Sequence, residues 1–281
     1  MSESMITVGI PFHNDSLYLD QSIRSVFNQT YNNWCLILID DGSTDGSLEI
    51  AKRYAKDPRV IIVSDGSNKK LAKRLNQIID LAKTKYIARM DADDIMHTSR
   101  LEEQFEIMEL NPDIDVLGSN AISIDENNNI LGVRGKISKD LIKVEGFIHP
   151  SILAKTEWFK SNRYDEFAER SQDILLWNRT KHKSGFSTVA SPLLYYREVE
   201  GSYYKKYFKS SASLFKVLIN NKYSLSKYYL TKTTIMLTVK GTIYLGLSTL
   251  NKESVLISRR NIALNSSDLE KFSLGIEKSL E

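Results

Sequence analysis

The stretch WCLILIDDGSTDGS, residues 34–47, decides the fold. Trp34–Ile39 is a continuous apolar run, too uniform for a strand with one wet face. It reads as a strand buried on both sides, as in a parallel sheet. The run stops at Asp40-Asp41-Gly42 and passes into turn residues, where Ser43 or Thr44 is placed to cap a helix extending to about Lys56. The same alternation continues outward. Ile6–Pro11 reads as a strand, followed by Leu17, Ile23, Val26 and Phe27 at helical spacing. Val60–Ser64 is a third strand, Leu71, Leu75, Ile78, Ile79 and Ala82 mark a helix, and Tyr86–Met90 is a fourth strand. A helix from about Thr98 to Glu109 ends before Asn111-Pro112. This order calls for an α/β fold, a mainly parallel sheet covered on both faces by helices.

After Val116 the rhythm changes. Val116–Ile124 and Ile130–Val133 flank the polar stretch Asp125–Asn129 and suggest a hairpin. Ser151–Ala154 reads as a strand and Ser171–Lys183 as a helix, with Phe186–Val189 and Leu193–Arg197 closing a mixed sheet. Residues 201–281 carry 13 Lys and Arg against 5 Asp and Glu, whereas the first 200 carry 25 against 30, and no acid falls between Gly201 and Lys252. Charge therefore sets off a basic, aromatic-rich helical region, 201–281, from a catalytic region, 1–200, itself divided near residue 115. Trp158 and Trp177 are expected in the core, and so is the single cysteine, Cys35, which has no disulfide partner and fits a reducing compartment. The N-terminus lacks a basic region followed by an apolar one, so no secretion signal is expected.

Ligand groups in a parallel sheet gather beyond the C-terminal ends of its strands. Acids stand at two such ends, in Asp40-Asp41-Gly42-Ser43-Thr44-Asp45 and in Asp91-Ala92-Asp93-Asp94, and Asp173 begins a later helix. Converging carboxylates repel unless a cation lies between them. A divalent metal shared with a phosphorylated substrate, Mg²⁺ or Mn²⁺, meets that need. Turn and capping chemistry is the competing explanation for Ser43 and Asp45, and a solvated loop position for Asp94.

ITVGIPFHN (6–14), SIRSVFNQTYNNW (22–34), LILIDDGSTDGS (36–47) and KYIARMDADDIMHTSRLEEQ (85–104) together resemble the family-2 glycosyltransferases of the GT-A fold. The similarity runs in register from about Ile6 to Arg197, through NPDIDVLGS (111–119) and His149-Pro150-Ser151. The resemblance implies transfer of a sugar from a nucleotide diphosphate, typically a UDP-sugar, to a glycan or lipid-linked acceptor in bacterial surface-polysaccharide assembly such as capsule or lipopolysaccharide. By position, Asp41 matches the aspartate that bonds the base, and Pro11 and His13 fall at base and ribose, with histidine replacing the usual aromatic. Asp91 and Asp93 match the Asp-x-Asp pair, Asp93 as metal ligand and Asp91 toward ribose or the metal shell. Arg74 falls where relatives place a basic residue near the donor. In SQDILLW (171–177) Asp173 takes the catalytic-base position, while Gln172 and Leu175 replace two acids of the family pattern. His149 is a further candidate for the active site.

Two rival classes are weighed against this reading. Sugar nucleotidyltransferases usually carry a glycine-rich, basic loop after the first strand, where this chain has PFHNDS (11–16). Lysines interleaved with Tyr203, Tyr204, Tyr207, Phe208, Phe215, Tyr223, Tyr228 and Tyr229 suit nucleic acid, but the acidic catalytic half argues against it. The same segment suits an anionic membrane surface on the cytoplasmic side, or helices that pack on the catalytic region or on a second subunit as a homodimer and show their lysines to water. Thr233–Leu250, interrupted by Lys240, is short for a spanning helix.

Overall fold

The computed structural model describes residues 5–135, 137–168, 170–198, 205, 207–213, 227–250, 252, 255 and 259–281. Ten strands form one mixed sheet. β1 (Ile6–Phe12), β2 (Trp34–Asp40), β3 (Val60–Ser64) and β4 (Tyr86–Arg89) are parallel, in the order β3-β2-β1-β4. The sheet continues through β9 (Leu153–Lys155), β6 (Val116–Ile124), β10 (Phe186–Arg197) and β5 (Ile95–Met96). β9 is antiparallel to both β4 and β6, and β10 runs parallel to β6. β7 (Ile130–Arg134) closes the hairpin on β6, and β8 (Leu141–Lys143) pairs with β10.

Helices α1 (Leu19–Phe27), α2 (Ser47–Lys52), α3 (Leu71–Leu81), α4 (Arg100–Leu110), α5 (Thr156–Ser161) and α6 (Gln172–Thr180) connect the strands. Alternate strand residues serve two cores. Ile6, Val8 and Ile10 of β1 join Leu19, Ile23 and Trp34 on one face, while Ile37, Ile39 and Ile87 meet α3, Trp158 and Trp177 on the other. Both tryptophans and the run Trp34–Asp40 are thus interior, apart from half-buried Cys35. At Gly9 a Cβ would fall 2.6 Å from Ile78, so the glycine lets α3 close on β1.

Several expectations are corrected. α2 starts at Ser47, and neither Ser43 nor Thr44 caps it; the Asp45 carboxylate accepts from the Ser47 amide instead. α2 also ends at Lys52, because residues 53–57 tighten into turns. Leu17 is exposed and precedes α1. The last two expected strands are one, β10, with register shifts around Pro192, which has no amide hydrogen for the ladder. Asp94 is buried, not solvated.

Beyond the sheet, α7 (Lys227–Thr249) and α8 (Ser266–Leu280) are helical. α8 packs Phe272 and Ile276 against Ile95, Ile122 and Tyr195. The expected boundary at residue 200 and the residues Tyr203, Tyr204, Phe215 and Tyr223 lie outside the described residues, as do the side chains of Tyr228 and Tyr229.

Candidate active site

The strand order reverses between β1 and β4, since β2 and β3 lie to one side of β1 and β4 to the other. A crevice at such a switch point is where α/β sheets place ligands. β4 delivers Asp91, Asp93 and Asp94 into it, with one carboxylate oxygen from each lying within 4.8 Å of the others. Burial, then Asp91 and Asp15, pushes Asp93 up to about 7. Burial, then Asp93 and Asp91, raises Asp94 well above the usual carboxylate range. Asp94 Oδ2 is buried without a hydrogen-bond partner. Hard oxygen ligands, crowded like charge and one orphaned oxygen fit Mg²⁺ or Mn²⁺.

Arg197, at the end of β10, holds this turn in place. Its Nε donates to the Asp93 carbonyl (2.7 Å) and its amide to Asp94 Oδ1 (2.8 Å). Nη1 donates to the Asp125 carbonyl and Nη2 to Asn128 Oδ1, both at 2.7 Å, and the guanidinium lies 4.1 Å above the Tyr18 ring. Ser22 Oγ donates to the Asp91 carbonyl (3.0 Å). One cation therefore ties the acidic turn to the β6–β7 hairpin and to the start of α1.

At the other end of the crevice, Asp41 and Arg74 come together. Asp41 Oδ1 accepts from the Lys69 amide (2.6 Å) and Arg74 Nε (2.8 Å), and Oδ2 from the Lys70 amide (3.1 Å). Arg74 also donates to Asp65 and to Gln77, and its side chain is fully buried. The pair orders the 65–70 loop against β2. Gly42 (φ +74°) is required there, because a Cβ would lie 2.9 Å from the Ser67 carbonyl carbon. Pro11 is buried in β1, opposite Ile39, while His13 is exposed with its Nε2 3.2 Å from Asn68 Nδ2.

Asp173 sits in the first turn of α6, beside a cavity of about 530 Å³. Burial raises its carboxyl, and the Ile174 amide and the Arg89 charge pull it back. His149 is buried, and its Nε2 shares a 2.8 Å hydrogen bond with the Tyr164 hydroxyl. Burial and the Arg89 charge hold it well below the ordinary imidazole value, so it is neutral.

Four further residues belong to this constellation. Arg89 is buried at the end of β4, forms an ion pair with Asp91, and leaves Nε and Nη1 without partners. Its charge acts on Asp173, His149 and Tyr164. Asp15 is raised by burial, with Asp91 and Asp45 adding like charge. Tyr164 and Arg197 complete the set. A charged residue inside the apolar run Tyr86–Met90 is a signal for Arg89 that periodicity alone passes over.

Residues 7–188 match the family model described as glycosyl transferase family 2. An uncharacterised glycosyltransferase of Methanocaldococcus jannaschii is 36% identical over 208 residues, 70% of this chain and 72% of that protein. EpsE of Bacillus subtilis is 36% identical over 186 residues, 62% of this chain and 66% of its own. Among solved structures, S. aureus TarS 1–349 in complex with UDP-GlcNAc has a TM-score of 0.64 at 14% identity, covering 99% of this chain and 82% of that one. At that identity the likeness speaks for the fold, which is GT-A. The family match spans well over half of the sequence, and the chain belongs to glycosyl transferase family 2.

Proposed function

We propose that the protein is an inverting, metal-dependent hexosyl- or N-acetylhexosaminyltransferase, moving a sugar from a UDP-sugar to an acceptor hydroxyl in surface-polysaccharide or glycan assembly. The observation that carries this is Arg89, which pairs with Asp91 of the Asp91-Asp93-Asp94 cluster while its charge acts on Asp173, so that one buried cation links the two sets of carboxylates. Asp93, with Asp94 and Asp91 beside it, would hold the divalent cation. Bound there, the cation supplies a Lewis acid at the diphosphate leaving group. Asp41 with the 67–70 loop receives the base, and Pro11 and His13 line the base and ribose. Asp173 accepts the proton of the acceptor hydroxyl as that oxygen bonds to the anomeric carbon and the carbon–oxygen bond to the diphosphate breaks. Attack opposite the leaving group inverts the anomeric centre.

We assign residues 1–115 to the donor, 116–200 to the acceptor, and the basic segment 201–281 to an anionic membrane surface on the cytoplasmic side, with homodimerisation as the alternative. Titrating UDP into the protein with Mn²⁺ and with EDTA tests the donor reading. Binding should depend on Mn²⁺ in the parent chain and lose that dependence in Asp93→Ala, with the melting cooperativity intact. Metal-dependent binding that survives Asp93→Ala would falsify the assignment.

A further inference from the structure

We propose that Asn261 and Ile262, just before α8, are positioning residues for the acidic turn Asp91–Asp94, acting on it through the β6–β7 hairpin and Arg197. The C-terminal region is then part of the donor site and not an appendage to it. The consequence for metal binding rests on the glycosyltransferase reading; the positioning itself does not. Arg197 and this segment both lie beyond residue 188, where the family match ends.

β7 pairs with β6 along one edge, and Ile262 partners the other. The Ile262 amide donates to the Val133 carbonyl and the Val133 amide to the Ile262 carbonyl, both at 2.9 Å. Gly132 permits this approach, because a Cβ there would lie 2.8 Å from the Ile262 carbonyl oxygen and 2.9 Å from Asn261 Cβ. The buried Glu198 carboxylate closes the same junction. Its Oε1 accepts from Arg134 Nε (3.0 Å), and Ser123 Oγ lies within hydrogen-bond distance of both Glu198 Oε1 (2.9 Å) and Asn261 Oδ1 (2.7 Å). β6, β7, the end of β10 and the C-terminal segment therefore meet at one point. A two-stranded arm held along a single edge frays easily, and this junction is what fastens it.

Arg197 carries the junction to the crevice. Successive side chains of an extended chain point to opposite sides, so Glu198 faces the junction and Arg197 the acidic turn. The hairpin tip fixes one side of the guanidinium through the Asp125 carbonyl and Asn128 Oδ1, and the Asp93 carbonyl takes Nε. The tip is itself braced, since Asp125 Oδ1 accepts from the Asn127 and Asn129 amides, both at 2.8 Å. A shift of β7 at Val133 is thus passed to the Asp93 backbone. Metal sites feel such shifts: changes in the outer partners of metal ligands typically cost about 10–100-fold in affinity.

Three full-length variants test the assignment. Ile262→Pro removes the amide that donates to Val133, Asn261→Ala removes the side chain at Ser123, and Ile262→Val keeps both main-chain bonds. Hydrogen exchange on the metal-free chain should quicken in peptides covering 125–134 and 90–96 for the first two, but not in 34–40, and Ile262→Val should match the parent. Mn²⁺ titrated into the UDP-saturated chain, followed by the paramagnetic resonance of the free ion, should bind about tenfold more weakly in the same two variants. UDP in EDTA should bind as in the parent. Met108→Ala, which removes core volume near the far end of α4, should lower Tm and move neither readout. If Ile262→Pro fails to fold, Asn261→Ala carries the test. Faster exchange confined to 125–134 overturns the proposal, and so does an unchanged Mn²⁺ affinity where the parent binds the ion. A parent that ignores Mn²⁺ while faster exchange still reaches 90–96 leaves the positioning standing and sinks the metal reading.

Discussion

Arg89 and Asp173 are the residues on which the proposed division of labour turns, since the charge of one acts on the carboxyl of the other. Each proposed carboxylate stands at a strand end or a helix start, positions that sequence patterning marks, so Asp41, Asp91, Asp93 and Asp173 are legible from the sequence alone. Of the cations, Arg74 is reached through the family resemblance, whereas Arg89 and Arg197 are passed over, because Arg89 sits inside a strand run whose periodicity marks only the core. Arg197 meets Asp93 only through a sequence separation of 104 residues. If Asp173 is the base, Asp173→Asn should lower the transfer rate by roughly 10²–10⁴-fold while leaving the Kd for UDP unchanged, as read by transfer kinetics and calorimetry. An equal loss in both would make it a donor-site residue. His149 carries a second prediction, on stability. Its folded-state value is depressed, while the unfolded imidazole titrates near 6.5. Between those values the unfolded chain binds more protons, so stability falls as pH drops through about 6.5. His97, also lowered by burial, contributes to the same acid limb. His149→Gln should therefore shrink, without abolishing, the difference in Tm between neutral and mildly acidic buffer. An unchanged difference would mean that folding does not shift the His149 imidazole.

Among the elements, α8 shows where periodicity stops being informative. Its Leu269, Phe272 and Ile276 repeat at helical spacing, so a helix is readable, but nothing in that spacing says which surface it covers. The structure supplies the answer: Phe272 and Ile276 close the core over β5, β6 and β10. Asn28 Nδ2 donates to the Ser279 carbonyl and Arg24 Nη2 to the Glu281 carbonyl, fastening the helix to α1. Asn265 caps it by accepting from the Asp268 amide at 2.8 Å. β5 escapes sequence reading for another reason, since two residues are too few to show a period. Because Phe272 is buried among Ile95, Ile122 and Tyr195, Phe272→Ala should cost about 3–5 kcal/mol in urea unfolding. A loss below about 1 kcal/mol would mean that α8 is only loosely docked.

At the scale of the whole molecule, the charge asymmetry between the two parts of the chain is answered in part by α8, which docks on the sheet and on α1, and leaves α7 to be explained. No helix among the described residues is long and apolar enough to cross a membrane. α7 nevertheless exposes Ile235, Met236, Val239, Ile243 and Leu245, with Lys240 among them. Part of the aromatic set has a partner inside the protein, since the Tyr207 ring lies 4.8 Å from that of Tyr244, and a Cβ at Gly241 would lie 3.1 Å from the Phe208 ring. What remains is an apolar helix in a segment without acids, a combination that suits an anionic interface. Aliphatic side chains enter the headgroup boundary there, and each lysine contributes about 1 kcal/mol near the surface. A lipid-linked acceptor would then reach the crevice without leaving the bilayer. Liposome co-sedimentation separates this from subunit packing. Binding should need anionic lipid, weaken as salt rises, and fall sharply in Val239→Asp, which puts a like charge on the exposed side of α7. If the full chain ignores anionic vesicles at low salt and sediments as a dimer that Val239→Asp dissociates, α7 is a subunit interface and the membrane assignment fails.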